Sequence, residues 1–106
     1  MLDLVIRAIT EPRHREILRL IQDGELPTGQ ITSRFEVTRP AISQHLKVLV
    51  EVGLVTARRE GTFILYRALP EGLAELREYL ERFWGDRLRL LKEAAESDAG
   101  RSDDRT

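Results

Sequence analysis

Residues 37–55 read VTRPAISQHLKVLVEVGLV, and this stretch decides the fold because it specifies one short helix with two chemically different faces. On a wheel of 3.6 residues per turn, Ile42, Leu46 and Leu49 share a stripe, while Arg39, Pro40, Ser43, Gln44 and Lys47 take the opposite side. Thr38 is a suitable N-cap, and Pro40 fits a first turn whose N–H groups have no helical partner. Gly53 can adopt the left-handed conformation that ends a helix. The predicted helix therefore has a start and a stop, covering residues 39–52.

Ser, Gln, Arg and Lys near a helix start are side-chain types that pair with base edges and phosphates, in a major groove wide enough to admit a helix. Ordinary solvated faces carry the same types, so composition alone leaves both readings open. The chain that follows narrows the choice. Residues 54–59 and 62–68 are rich in β-branched, aromatic and alternating residues, and the pair Glu60-Gly61 between them suits a tight hairpin turn. The pattern predicts a hairpin over 54–68 that returns Phe63 and Leu65 to the core. Arg58, Arg59 and Thr62 flank its tip, where cations can reach phosphates or a minor groove. The competing reading of Arg58 and Arg59 is a charged hairpin edge that discourages strand pairing.

Upstream, Leu2, Val5, Ile6 and Ile9 have helical spacing, and Pro12 opens a second helix with Ile17, Leu18 and Ile21 on one stripe and Gly24 near its end. His14 lies on that stripe and reads as a residue at the core edge. A short helix is expected over 27–35, with Thr28 as its cap and Ile31 and Phe35 facing inward, although Gly29, Thr32 and Ser33 are weak helix formers. Downstream, residues 70–95 form one long amphipathic pattern, with Leu73, Leu76, Leu80, Phe83, Trp84, Leu88 and Leu91 near one face and Gly85 as its weak point. Unbroken, these roughly 26 residues span about 39 Å, more than the ~26 Å diameter of a compact domain of this length. Part of the stripe then needs a partner, and a second copy of the chain is the economical one. The interface expected comprises Leu2, Ile6, Leu80, Phe83, Trp84, Leu88 and Leu91. Residues 97–106, SDAGRSDDRT after Glu96 in the sequence, have little to bury and are expected to be a disordered tail.

The 106 residues, 42% hydrophobic, suit one compact domain over 1–96. No stretch approaches the roughly 18 apolar residues of a membrane span, and no secretory signal pattern opens the chain, so a cytoplasmic protein is expected. The net charge of −1 is unevenly spread: residues 1–33, 34–67 and 68–106 carry −1, +3 and −3. Positive charge thus concentrates where the two-faced helix and the hairpin lie, as an electrostatic footprint for nucleic acid requires. The absence of cysteine excludes disulfides and thiolate metal sites. With no glycine-rich phosphate loop, no nucleophile beside a base and no paired carboxylates, no enzyme and no cofactor are expected.

The run TRPAISQHLKVLVEVGLV followed by RREGTFILYRAL closely resembles the ArsR family of winged helix-turn-helix transcription regulators, over about residues 11–84. The likeness is to the metal-independent members. Where metal-sensing members carry paired cysteines this chain reads ITSRFEV (31–37), and its only histidines are His14 and His45, not placed on the last helix. The resemblance implies a mainly α fold with a small β-hairpin (α+β), dimerising through its N- and C-terminal helices. It implies a sequence-specific repressor whose two-fold dimer reads an inverted repeat in double-stranded DNA. On that basis Ser43, Gln44 and Lys47 are assigned to base edges and nearby phosphates, Thr38 and Arg39 to the helix start, and Arg58, Arg59 and Thr62 to the wing. His45 sits between the polar side and the apolar stripe, and the family motif places its equivalent near DNA. The alternatives are a winged-helix protein interaction module and a sensor that answers to a small molecule or metal.

Overall fold

The structure, a computed structural model, describes the backbone of residues 2–104 and, within it, all side chains except those of Asp86, Leu88 and residues 98–104. The chain divides after Leu76 into two compact units. In the first, α1 (Leu2–Thr10) buries Val5 and Ala8, and α2 (Pro12–Leu20) buries His14 and Ile17. Glu11 caps α2 with its carboxylate, and Pro12 occupies the first turn where no N–H is needed.

A two-residue strand, β1 (Leu26–Pro27), then leads directly into α3 (Thr28–Thr32). This helix is shorter than expected and starts differently: Pro27 holds the N-cap position, and Thr28 is a buried first residue rather than the cap. Hydroxyls shape its far end, with Thr32 Oγ1 donating to the Thr28 carbonyl at 2.8 Å and Ser33 Oγ to that of Gln30 at 2.8 Å. Such local bonds compete with helix propagation, which explains the stop before Phe35. Ile31 is nevertheless fully buried, and Phe35 packs against the core from its edge.

The decisive stretch folds as α4 (Arg39–Glu51), with Thr38 at the N-cap and Ile42, Leu46 and Leu49 wholly buried. Its end is a Schellman motif: Leu54 N–H reaches Leu49 O at 2.9 Å, Gly53 N–H reaches Val50 O at 3.1 Å, and Gly53 has φ +82°. Two strands follow, β2 (Val55–Glu60) and β3 (Phe63–Ala68), and β1 pairs with β3 to give an antiparallel sheet in the order β1-β3-β2. Pro27 is tolerated because β1 is an edge strand.

The hairpin turn lies one residue later than the sequence reading placed it. Glu60 pairs with Phe63, so the turn residues are Gly61 and Thr62, with Gly61 at φ +60°. That displacement shifts the cross-strand partners by two residues and leaves the face of each side chain unchanged. Tyr66 and Ala68, on the face of buried Val55, pack on the core, and Phe63, expected inside, lies on the opposite face and is 63% exposed while Leu65 is only half-buried. After β3, Leu69 N–H bonds Leu54 O at 2.8 Å and a 3-10 turn (Pro70–Leu73) crosses the end of α4. A Cβ on Gly72 would lie 2.2 Å from the Gly53 carbonyl oxygen, so this crossing requires glycine.

Beyond it the expected single helix is two: α5 (Ala74–Trp84) and α6 (Asp86–Asp104), interrupted at Gly85 with φ +38°. The 39 Å rod inferred from an unbroken pattern is therefore corrected, because glycine at 85 adopts a conformation that a helix does not contain. Within the second unit Phe83 stacks on Tyr79 and meets Trp84 edge to face, yet Phe83 and Leu91 are each 67% exposed. The Leu88 side chain lies outside the described residues. The helix α6 passes position 97 without a break, and the side chains of most of the expected tail also lie outside the described residues.

Candidate nucleic-acid interface

The helix α4 spends one face on the core and leaves the other in solvent. Arg39, Ser43, Gln44 and Lys47 are all exposed, and among the described residues none of them forms a side-chain hydrogen bond or ion pair. Thr38 Oγ1 accepts the Ala41 N–H at 3.3 Å, so its hydroxyl is used in starting the helix. The N-terminus of α4 adds the partial positive charge of unpaired backbone N–H groups to a face that already carries Arg39 and Lys47.

The turn of the hairpin approaches this helix start. Arg39 and Thr62 line one cleft together with Thr28, Gln30, Phe63 and Ile64. The structure thereby brings together two parts of the expected site, the beginning of α4 and the hairpin tip. It also adds two exposed residues that the sequence reading did not include, Gln30 and Phe63. Their neighbourhood depends on the pairing of β1 with β3, a contact between residues roughly 40 positions apart that no local pattern announces.

Arg58 and Arg59 are adjacent in sequence and opposite in role. Strand geometry points them to different faces, and Arg58 shares its face with Thr56, Leu65, Arg67 and Glu25. Its guanidinium grips Glu25, with Nε 2.9 Å from both carboxylate oxygens and Nη2 closing a second bond, and Nη2 also donates to Glu60 at 2.7 Å. The bidentate geometry is that of a strong charge-assisted pair. Arg58 holds the Glu25 carboxyl below its usual range, and the two carboxylates raise the Arg58 value in turn. Its charge is thus locally matched, whereas Arg59 is exposed and, among the described residues, unpaired.

His45 leaves the solvent face of α4 and turns toward α2. Its ring meets His14 edge to face at 4.9 Å, with Nδ1 3.0 Å from His14 Nε2. Burial, followed by the neighbouring His14, lowers its pKa below the ordinary histidine value. Among the described residues no group of three or more His, Asp or Glu side chains converges as a metal site would require. No described helix is long and apolar enough to cross a membrane.

Comparison with known proteins gives one answer. A family model described as "Bacterial regulatory protein, arsR family" matches residues 11–57, which span α2 to the middle of β2. The chain is 42% identical over 82 residues to the HTH-type transcriptional regulator Rv2034 of Mycobacterium tuberculosis, covering 77% of each protein. It is 37% identical over 62 residues to the transcriptional repressor SdpR of Bacillus subtilis, covering 58% of this chain and 69% of that one. Among solved structures, an ArsR-like transcriptional regulator from Rhodococcus sp. RHA1 superposes with a TM-score of 0.74 at 34% identity, covering 91% of both chains.

Proposed function

Because the chain belongs to the ArsR family of bacterial regulatory proteins and is a DNA-binding transcriptional regulator, we propose that it acts as a homodimeric repressor on an inverted-repeat operator. The observation that carries this reading is the pairing of an unengaged polar face on α4 with a hairpin tip beside the same helix start. In it, Ser43, Gln44 and Lys47 read base edges and nearby phosphates, Arg39 and the helix start hold the DNA backbone, and Arg59 and Thr62 extend the contact from the wing. Arg58 contributes less, because an approach to phosphate must compete with Glu25 and Glu60.

Exposed Phe83, Trp84 and Leu91, with half-buried Leu80, supply apolar surface suited to a second copy, and Leu2 and Ile6 extend the proposed interface. Two recognition helices related by a two-fold axis would then enter successive major grooves about 34 Å apart. The protein works by occupying a promoter in the cytoplasm, as a binding protein without a catalytic step and without a bound metal. A relative named as a repressor supports the direction of regulation.

The double variant Gln44→Ala with Lys47→Ala tests the assignment. It should weaken binding to a cognate duplex by at least about 1–3 kcal/mol, the discrimination of a base-edge contact, while sedimentation still reports the wild-type assembly. Full affinity in the double variant would remove α4 as the reading element.

A further inference from the structure

The two histidines of the chain form a hydrogen-bonded series whose direction follows from elementary proton counting. A carbonyl oxygen only accepts, so the 2.9 Å contact of His14 Nδ1 with Ala8 O places a proton on that nitrogen. One proton occupies the 3.0 Å line between His14 Nε2 and His45 Nδ1. With both rings neutral, His14 has used its proton on Nδ1, so the shared one belongs to His45 Nδ1 and His45 Nε2 is bare. No buried side-chain nitrogen or oxygen among the described residues lacks a partner, and His45 Nε2 has none, so this atom reaches solvent.

We propose that His14 is a positioning residue for the contact of His45 with DNA: it fixes the neutral His45 ring with a bare Nε2 outward, and a phosphate can be met there only after the pair takes up one proton. This inference rests on the reading of α4 as the DNA-contacting helix. A bare nitrogen and a phosphate oxygen are both acceptors and repel, whereas a protonated Nε2 donates a charge-assisted bond. A second proton is disfavoured, since it would place N–H groups on both sides of the 3.0 Å line. The charged and titratable groups around His45 are His14 and Arg13 on α2 and Glu11 at the α2 N-cap. Glu11 favours the added proton, while Arg13 and His14 oppose it, and α1 contributes the neutral Ala8 carbonyl. His45 thus resists a proton in the free protein and gains one when phosphate charge arrives, which couples affinity to pH.

Two readouts on the intact chain test this. Imidazole nitrogen NMR of the free protein near pH 7.5 should show His45 protonated on Nδ1 and bare on Nε2, and the opposite tautomer would overturn the proposal. Binding of a labelled mixed-sequence duplex at low salt should tighten between about pH 8 and pH 6, with a limiting gain of about tenfold per pH unit for each His14–His45 pair that meets phosphate and about hundredfold for a dimer that uses both, the signature of one proton per pair. His14→Phe removes the acceptor, lets neutral His45 carry its proton on Nε2 and should flatten that dependence, while His14→Gln restores an acceptor oxygen and should restore it. Binding by the wild type that does not change with pH would overturn the role of the pair alone. Failure to bind any duplex at any pH would overturn it together with the DNA-binding assignment of α4.

Discussion

The helix α4 and the pair α5–α6 arise from the same kind of sequence pattern and end in opposite states. In α4 the apolar stripe is fully satisfied within its own unit, with Ile42, Leu46 and Leu49 at 0% exposure, and the polar face is left over. In the second unit the apolar residues are left over: Phe83 and Leu91 each keep two-thirds of their surface. An amphipathic repeat thus establishes that a helix has an apolar face, and only the packing around it says whether that face is already covered. The spare polar face of α4 is suited to DNA, and the spare apolar face of α5 and α6 is suited to another copy of the chain.

The sharpest way to break this contrast is to truncate a residue on each side. Leu46→Ala should lower the unfolding free energy by about 2–5 kcal/mol, because removal of buried methyls also leaves a cavity. Chemical denaturation measures it, and a loss well under 1 kcal/mol would contradict the packing described. Phe83→Ser combined with Leu91→Ser removes exposed groups, so the winged unit should keep its fold. The proposed dimer should instead dissociate, seen by sedimentation as a shift of the dissociation constant by about tenfold or more, since aromatic anchors at interfaces carry upwards of 1 kcal/mol each. An unchanged sedimentation profile would place the interface elsewhere.

A finer comparison concerns the neighbouring wing arginines. Arg59→Ala should weaken DNA binding and reduce the salt slope by about one, as loss of a phosphate contact does. Arg58→Ala should change affinity less, because that guanidinium is held by Glu25 and Glu60. Equal effects of the two substitutions would show that the carboxylates release Arg58 on binding.

The smallest effect expected is a pH dependence of stability. His45 has an ordinary value of 6.5 that is lowered in the fold, first by burial and then by His14. Between the lowered value and 6.5 the unfolded chain binds more protons than the folded one, so stability falls as pH drops below about 6.5. Thermal melts at about pH 7.5 and pH 5 should show this loss in the wild type and a smaller one in His45→Gln. Identical losses would separate the His14–His45 contact from stability.

Most of the first unit was legible because its signals are local. The boundaries of α4 follow from Thr38, Pro40 and Gly53, all of which act in the structure as their chemistry suggests. The polar residues of the candidate site were equally legible, since their exposure follows from the burial of the opposite stripe. What escaped depends on distant or finely balanced terms. The strand β1 has two residues and includes a proline, so no periodicity could reveal it, and with it the position of Gln30 near the hairpin tip was hidden. Phe63 and Leu65 were assigned inside, whereas Tyr66 and Ala68 share the face of buried Val55, and alternation alone does not say which set of a strand meets the core. Gly85 was recognised as weak at about 1 kcal/mol, but propensity does not reveal that the backbone there takes φ +38°. His14 and His45 were each read alone, because 31 residues separate them and only the packing of α2 on α4 joins their rings.

The central claim, that α4 and the hairpin tip read DNA, is tested most directly by fluorescence anisotropy. The duplex would come from upstream of the protein's own coding sequence, with a scrambled duplex as control, across a salt series. The account predicts preferential binding to the first, with log affinity falling linearly against log salt by about 0.9 per phosphate contacted. Binding to neither duplex at low salt would contradict it.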